Sequence, residues 1–282
     1  MIKTSLTLSS PAKINLWLKV LGKRADGFHE VETRMCPISL ADEVTVTLLE
    51  TGPTVLTCSD PTVPTDESNL ALKALRAFEL RVGRTRFWSI HLEKRIPHGA
   101  GLGGGSSNAA AVLSAINALF PAPLTASSLN SLAAGLGSDV PFFLHGRTCD
   151  ATGRGENVTP TLDFDWKLPV VLVKPPFGIA TPWAYQHWAK SKPLAGVTYA
   201  RQLCPWGEMV NDLERPVFEK WALLPTLKNW LLDQPETEAA LMSGSGSTLF
   251  AVTKSSIEAG VLADKARKLC GSTTQVFVAT TR

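Results

Sequence analysis

The stretch Pro97-His98-Gly99-Ala100-Gly101-Leu102-Gly103-Gly104-Gly105-Ser106-Ser107 decides the fold of this chain, because it places five glycines within seven positions ahead of a helix. The Ser-Ser-Asn start and the small residues after it predict that helix over about 107–119. Glycine adopts left-handed backbone angles and lets a ligand approach the main chain closely. A helix that begins on such a loop directs unpaired N–H groups and a partial positive charge outward, so the stretch predicts a phosphate-binding site.

The charges on either side of this glycine loop, defined as residues 97–107, agree with an anion site. No Asp or Glu occurs between Glu93 and Asp139, whereas Lys94 and Arg95 directly precede the loop. Nearby carboxylates would repel a bound phosphate, so their absence favours the interpretation.

Other glycine-rich motifs fit the loop less well. A Walker A loop needs Lys-Ser or Lys-Thr after the glycines, and neither follows here. Gly99, Gly101 and Gly104 satisfy the dinucleotide pattern G-x-G-x-x-G, but residues 121–137 hold no acidic residue for a ribose. The strand lysine and the H-R-D and D-F-G motifs of protein kinases are missing. An ordinary strand–helix turn needs one or two glycines, so we favour a phosphate loop over that alternative.

Length and composition indicate a soluble globular protein of two domains. The chain has 282 residues, of which 44% are hydrophobic and 19% are charged. A net charge of +3 is too small to indicate a nucleic acid partner, although it suits an anionic small-molecule substrate.

The cysteines predict reduced thiols rather than disulfides or a zinc site. The five of them are scattered and show no metal-ligand spacing; they are Cys36, Cys58, Cys149, Cys204 and Cys270. The sequence shows no signal peptide and no apolar stretch of membrane-spanning length, so we expect a bacterial, cytoplasmic protein with no membrane partner.

Periodicity and turn residues predict two mixed α/β layers. Residues 5–20 alternate in polarity and predict a strand with Lys13 and Asn15 on one face, opposite the apolar set. The Gly-, Pro-, Asp- and Thr-containing segment 146–169 is the expected domain boundary. Further strands are predicted at 43–49, 54–58, 86–93, 168–174, 237–242, 248–253 and 273–280, and helices from Ser68 or Asn69 to about 80, at 125–136, 182–190 and 255–269, and between 208 and 233.

Three other features carry open alternatives when each is taken alone. Asp139 ends the acid-free stretch and is either a reactive carboxylate or a helix cap or turn residue. Lys13 is either functional or a solvated strand residue. The second glycine cluster, Ser243-Gly244-Ser245-Gly246-Ser247-Thr248, is either a tight hairpin or a brace for the glycine loop and its phosphate.

In combination, five blocks of the sequence resemble the GHMP small-molecule kinases, and the resemblance spans nearly the whole chain. The blocks are Pro11–Leu16 (P-A-K-I-N-L), Arg24–Glu30 (R-A-D-G-F-H-E), the glycine loop with Asn108-Ala109-Ala110, 137–143 (G-S-D-V-P-F-F) and 243–246 (S-G-S-G). The resemblance implies a two-domain α+β fold. Residues 1–160 would form an ATP-binding domain like ribosomal protein S5 domain 2, with a left-handed β-α-β crossover. Residues 161–282 would form a ferredoxin-like domain, with the active site between the two.

The resemblance also implies an ATP-dependent kinase with an alcohol acceptor. The first two blocks are similar to those of members that phosphorylate the 2-hydroxyl of a cytidine-diphosphate-linked methylerythritol, on the non-mevalonate route to isoprenoid precursors. Another GHMP kinase acting on homoserine or mevalonate is the alternative within the family. A non-catalytic ligand sensor and a Rossmann oxidoreductase are alternatives from other classes.

The same resemblance assigns roles to residues. Lys13 and Asp139 match the catalytic pair, and Asn15 would position the substrate. Phe28 and His29 match the pair that grips cytosine, with Tyr185 a candidate for its other side. The remaining candidates are Lys94, Pro97, His98, Gly99, Ala100, Gly101, Leu102, Gly103, Gly104, Gly105, Ser106 and Ser107 for ATP, and Ser243, Gly244, Ser245 and Gly246 beside the phosphates and substrate.

Two points are specific to this chain. Phe28 stands where the family usually has Tyr, so the stacking face is kept and a hydroxyl is lost. Mg²⁺ is expected with ATP, but the sequence names no carboxylate pair for it, and the phosphates and water are expected to hold the ion. The expected oligomeric state is a monomer or a homodimer.

Overall fold

The computed structural model describes residues 4–121 and 123–282, so residues 1–3 and Ala122 of the predicted first domain lie outside the described residues. The described chain forms two sheets and their helices. The strands are β1 (Ser5–Lys23), β2 (His29–Leu49), β3 (Val55–Cys58), β4 (Phe87–Glu93), β5 (Cys149–Thr152), β6 (Asn157–Pro160), β7 (Pro169–Lys174), β8 (Gln202–Cys204), β9 (Gly207–Asn211), β10 (Thr237–Met242), β11 (Leu249–Thr253) and β12 (Gln275–Thr280). The helices are α1 (Leu70–Val82), α2 (Gly104–Leu119), α3 (Ala126–Leu136), α4 (Val140–His145), α5 (Thr181–Trp188), α6 (Glu214–Lys220), α7 (Leu223–Leu232) and α8 (Ser256–Cys270).

The first sheet is built on a long antiparallel hairpin. Strands β1 and β2 pair over almost their whole length, and the sheet order is β3-β4-β2-β1-β9-β8 with the β5–β6 hairpin attached to β2. Register shifts interrupt the pairing on both sides of the Lys13–Asn15 segment. Such irregularities re-aim side chains, and here they coincide with the predicted polar face.

The second sheet has the ferredoxin-like arrangement. Its order is β10-β11-β7-β12, and every neighbouring pair is antiparallel. The strands of this sheet follow one another as β7, β10, β11 and β12, with α5, α6 and α7 (and the β8–β9 hairpin of the first sheet) between β7 and β10 and with α8 between β11 and β12, which is a split β-α-β pattern. The predicted α+β fold class is confirmed.

Helices α1 and α2 cover one face of the first sheet. The α2 residues Ala109, Ala110 and Ala115 are buried there, beside Val112 and Ile116. Alanine lets a helix lie close to its neighbours, so the small residues that follow the glycines are packing residues. This packing fixes the start of α2 relative to β1.

Most predicted elements are confirmed within a few residues, but three segments differ from the expectation. Helix α2 begins at Gly104 rather than near Ser107, because Gly103 adopts φ 71° and ends the loop earlier. Strand β2 extends back to His29, since it follows β1 around the hairpin. The expected boundary segment 146–169 contains the β5–β6 hairpin.

The predicted domain boundary at residue 160 does not separate the strands of the two sheets completely. Strands β8 and β9 come from the second half of the chain, yet β9 pairs in parallel with β1 through Trp17–Val210 and Leu18–Asn211. The division therefore stays a prediction, as does the handedness of the crossover from β3 through α1 to β4.

Candidate active site

The glycine loop carries the left-handed backbone angles that its sequence predicts. Gly99, Gly101 and Gly103 have φ values of 63°, 74° and 71°. A Cβ on Gly103 would lie 2.8 Å from the Phe143 ring and 3.1 Å from Lys13 Cγ, so the main chain there approaches its neighbours closely. The first turn of α2 follows at once, with its N–H groups at the loop.

The second glycine cluster, named the hairpin loop (243–248), is both a tight hairpin and a brace for the glycine loop, and its role beside a phosphate stays a prediction. It joins antiparallel strands β10 and β11, and it contacts the glycine loop directly. Ser243 Oγ donates to Gly101 O at 3.0 Å, and the Thr248 main-chain N–H donates to Ala100 O at 3.2 Å. The hairpin loop is thus a tight turn that braces the glycine loop from behind.

Lys13 is a buried residue rather than a solvated strand residue, being 4% exposed. Its ammonium donates to Asn15 Oδ1 at 2.6 Å and lies 3.7 Å from Asp139 Oδ2. Its main-chain N–H donates to Leu102 O at 2.9 Å, which fixes β1 against the glycine loop. A buried ammonium needs such partners, and Asn15 and Asp139 are both predicted site residues. Asn15 Nδ2 in turn donates to Thr33 Oγ1 at 2.8 Å, and Thr33 is a residue that the sequence did not predict.

Asp139 lies at the start of α4, but its carboxylate does not cap that helix. The side chain is 36% exposed and is directed to the space between α4 and Lys13. Asp139 therefore occupies the cap and turn position that one alternative expected, but its carboxylate makes no capping hydrogen bond and is available to a ligand.

A buried carboxylate, Asp42, organises the segment before the glycine loop. It accepts from the Arg95 and Ile96 main-chain N–H groups at 2.7 and 2.8 Å, and it pairs with Lys94 Nζ. Asn108 Nδ2 donates to it at 2.9 Å, and Asn108 Oδ1 accepts from Lys94 at 3.0 Å. The Lys94 ammonium therefore lies beside the predicted ATP site in a fixed position.

The same network reaches the first turn of α2. Asn108 Nδ2 also donates to Ser10 Oγ at 2.9 Å, and Ser10 Oγ donates to Ser107 Oγ at 2.8 Å. Ser107, predicted as an ATP contact, is buried in this chain of hydrogen bonds.

Two adjoining cavities bring the candidates together. The first, of 460 Å³, lies along the glycine loop. The residues predicted from the sequence that line this cavity are Lys13, Asn15, Lys94, 97–106, Asp139, Tyr185, Gly244 and Ser245. Ser107, Ser243 and Gly246 line neither cavity.

The second cavity, of 510 Å³, contains the predicted cytosine-gripping residues. The His29 ring stacks on Tyr185 with centroids 5.4 Å apart at 29°, and Phe28 is 50% exposed. Asp139 lines both cavities, so a group bound in each would meet at its carboxylate.

The two rings beside Asp139 are uncharged at neutral pH. Burial, with a smaller effect of Lys23, lowers the pKa of His29, so its imidazole keeps one N–H donor and one acceptor nitrogen. Burial and the Asp139 carboxylate raise the pKa of the Tyr185 phenol. Both rings can therefore stack on a neutral base.

The sequence did not predict site residues whose contacts join segments that are far apart along the chain. Asn211 Nδ2 donates to Met242 O and to Gly244 O, each at 2.7 Å, and so holds the hairpin loop. Arg154 lines both cavities, with its guanidinium carbon 4.7 Å from the Phe28 ring centroid. The G-R-G-E turn that carries Arg154 was visible in the sequence, but only the fold places it beside Phe28.

Within residues 4–121 and 123–282, no three His, Cys, Asp or Glu side chains group closely enough to hold a metal ion. No helix in those ranges combines the length and the apolar character needed to cross a membrane.

Known proteins resemble this chain over most of its length. The profile described as GHMP kinases N terminal domain matches residues 69–147. The 4-diphosphocytidyl-2-C-methyl-D-erythritol kinase of Methylacidiphilum infernorum (isolate V4) is 45% identical over 243 residues, which cover 86% of this chain and 84% of that protein.

Solved structures agree with the sequence relatives. A crystal structure of 4-(cytidine 5'-diphospho)-2C-methyl-D-erythritol kinase has a TM-score of 0.80 and 34% identity, covering 98% of this chain and 99% of that one. Homoserine kinase from Cytophaga hutchinsonii has a TM-score of 0.68 at 18% identity, covering 100% and 96%. The second likeness shows a shared fold alone.

Proposed function

The chain belongs to the family of the 4-diphosphocytidyl-2-C-methyl-D-erythritol kinases within the GHMP kinases, and we propose that it transfers the γ-phosphoryl group of ATP to the 2-hydroxyl of 4-diphosphocytidyl-2-C-methyl-D-erythritol. The observation that carries the proposal is the position of the Lys13–Asp139 pair where the two cavities meet. This product would lie on the non-mevalonate route to isoprenoid precursors.

The first cavity is suited to ATP. The glycine loop and the first turn of α2 supply main-chain N–H groups for the phosphates. Lys94 adds a positive charge beside them, held by Asp42. Val63, Pro64 and Leu70 also line this cavity and offer an apolar surface to a purine ring.

The second cavity is suited to the cytidine end of the acceptor. An exposed Phe28 ring can stack on a pyrimidine, and the neutral His29 imidazole can both donate to and accept from the edge of the base. Tyr185, stacked on His29, also lines this cavity. Phe28 keeps the stacking surface that a tyrosine would provide.

The pair at the junction would carry out the transfer. The Asp139 carboxylate would take the proton of the 2-hydroxyl while the new O–P bond forms and ADP leaves. The Lys13 ammonium, held by Asn15, would keep that hydroxyl and Asp139 in register and offset negative charge on the transferred group. Its burial strengthens this effect, because the surroundings of a buried charge have a low dielectric constant.

Mg²⁺ is the expected companion of ATP, and the residues present fit an ion held mainly by phosphates. Asp139 is the only carboxylate among the described lining residues of the first cavity, so it is the one protein carboxylate there that could bind the ion. Mg²⁺ in kinase sites usually has one or two carboxylates and completes its shell with phosphates and water. When bound, the ion would neutralise phosphate charge.

A coupled assay of ADP release tests the proposed function. The cytidyl-linked methylerythritol should support turnover, whereas homoserine and mevalonate at equal concentrations should not. Turnover with either smaller alcohol, and none with the cytidyl substrate, would replace the proposal with the alternative GHMP activity. The fold alone does not decide between them, since homoserine and mevalonate kinases share it.

A further inference from the structure

The charges that line the second cavity are unbalanced for a substrate with a diphosphate. Its acidic side chains are Asp26 and Asp139, and the lowered pKa of His29 leaves that ring neutral at pH 7. Among the described lining residues, Arg154 is the one with a permanent positive charge. A diphosphate placed between two carboxylates needs such a counter-charge.

Arg154 lies on a turn that is fixed at several points. The turn joins β5 to β6, and Gly153 and Gly155 adopt φ values of 73° and 106° within it. The Val31 main-chain N–H donates to Gly153 O at 2.8 Å, and the Gly153 N–H donates to Glu30 Oε1 at 3.1 Å. The turn is therefore attached to the first residues of β2.

The attachment also reaches the loop that carries Phe28. The other oxygen of Glu30 accepts from Arg24 Nη1 at 2.7 Å, and Arg24 Nε donates to Asp26 Oδ2 at 3.1 Å. The Arg154 turn and the loop from Arg24 to His29 are consequently held as one unit. A ligand that binds the loop meets Arg154 in a set position.

The guanidinium of Arg154 keeps free donors. Its Nη2 donates to Ala134 O at 3.2 Å and its Nε to Glu156 Oε1 at 3.3 Å. A guanidinium has five N–H groups, so three remain for a ligand. The side chain is 26% exposed, and it covers only one face of the Phe28 ring.

We propose that Arg154 binds the diphosphate of the nucleotide-linked substrate, while Phe28 and His29 bind its base. This inference rests on the proposed function, because it concerns the same acceptor. The planar fork of arginine matches phosphate oxygens, and charge-assisted bonds of this kind are the strong ones. The shared position of Arg154 in both cavities directs the diphosphate towards Asp139, where the hydroxyl must lie.

A purely structural role would have a different signature. Arg154 could act only as a cation over the Phe28 ring, which would help to hold that ring for stacking. Its loss would then weaken the binding of cytidine and of cytidine diphosphate by the same factor. If Arg154 instead contacts the diphosphate, its loss should weaken the binding of cytidine diphosphate only.

Calorimetric titration of the full chain with cytidine and with cytidine diphosphate separates these cases. A saturating non-hydrolysable ATP analogue is present throughout, so that the glycine loop is occupied. In the unmodified protein, cytidine diphosphate should bind about ten- to a hundredfold more tightly than cytidine. Arg154→Met should bring that ratio close to one and leave cytidine binding almost unchanged, and Arg154→Lys should restore part of it. Arg147→Met, an exposed arginine that lines neither cavity, is the matched control and should keep the full ratio.

The other possible results contradict either the role of Arg154 or the proposed function. An unchanged ratio in Arg154→Met, or an equal loss of both ligands, overturns the role of Arg154 and leaves the proposed function standing. An unmodified protein that binds cytidine and cytidine diphosphate equally well also contradicts the inference. Failure of the unmodified protein to bind either ligand removes the proposed function itself.

Discussion

Ser243 Oγ donates a hydrogen bond to the carbonyl oxygen of Gly101 at 3.0 Å, and this contact joins the hairpin loop of the second sheet to the glycine loop beside the first. The two residues are 142 positions apart in the sequence. The glycine loop therefore depends on the second sheet for its shape, and the hairpin loop leaves no room for a side chain at Gly101.

Gly101→Ala should deform this junction. A Cβ on Gly101 would lie 2.7 Å from Gly246 O and closer still to Ser243 O, both of them backbone atoms, and φ is 74°. We expect the free energy of unfolding to fall by about 2–4 kcal/mol, from strain and overpacking, and ATP binding to weaken at least tenfold. Denaturant unfolding and nucleotide titration measure both effects.

Gly135→Ala is the control for that substitution. Gly135 lies within α3 with no atom within 4 Å of an added Cβ, so alanine there should raise stability by roughly 0.5–1 kcal/mol. Equal stabilities for Gly101→Ala and the unmodified protein would show that the two loops are not closely packed.

Phe28→Ala and His29→Ala should each raise KM for the cytidyl substrate by about tenfold or more and change KM for ATP little. Both side chains line the second cavity and neither lines the first. Steady-state kinetics with each substrate varied in turn measures the split. Phe28→Tyr keeps the ring and should keep KM near its original value; equal effects of the alanine variants on both substrates would count against the assignment of the second cavity.

Lys228→Met should destabilise the protein strongly. Lys228 Nζ donates to Glu214 Oε2 at 2.6 Å and both side chains are almost fully buried, so removing the ammonium leaves a buried, unpaired carboxylate. The expected loss is about 3–5 kcal/mol of unfolding free energy. Lys265→Met, which breaks the more exposed pair with Glu236, should cost about 1 kcal/mol or less. Similar losses for the two variants in a urea titration would refute this account of the buried pair.

The buried thiols should make the protein less stable in alkaline solution. Burial raises the pKa of Cys36 to about 11 and that of Cys149 to about 12, from an ordinary value of 9.0. Above about pH 9 the thiols of the unfolded chain lose protons that the folded chain keeps, so the free energy of unfolding falls as pH rises. Unfolding curves at pH 8 and pH 10 should show this decrease, and a Cys36→Ala, Cys149→Ala double variant should show a smaller one. An equal decrease in both proteins would mean that other groups cause it.

The parts of the fold that could be predicted depend on local patterns. The alternation in residues 5–20 placed Lys13 and Asn15 on one face, and the hydrogen bond between their side chains confirms that. The glycines of 99–103 predicted left-handed backbone angles, which the structure contains. Helix α2 begins at Gly104, three residues before the predicted start at 107, because Gly104 and Gly105 are helical. Glycine has a low helix propensity, so the sequence did not predict these two residues as part of the helix.

The parts that could not be predicted depend on contacts between distant segments. Asp42 lies 52 residues from Lys94, and its position in β2 gives no hint of that buried pair. Strand β9 is short and pairs with β1 through only two residue pairs, so its pattern alone could not assign it to the first sheet. Arg154 becomes a candidate only when the β5–β6 turn is seen beside Phe28.

Turnover and binding by Asp139→Asn test the central claim most directly. The amide has the shape of the carboxylate but cannot take the hydroxyl proton, and the unmodified side chain lies 3.7 Å from the Lys13 ammonium. We predict that kcat falls at least a thousandfold, on the order expected for loss of a general base and its charge, while ATP and the cytidyl substrate bind with nearly unchanged Kd. A variant that turns over at the original rate would contradict the catalytic role of Asp139 and the mechanism that rests on it.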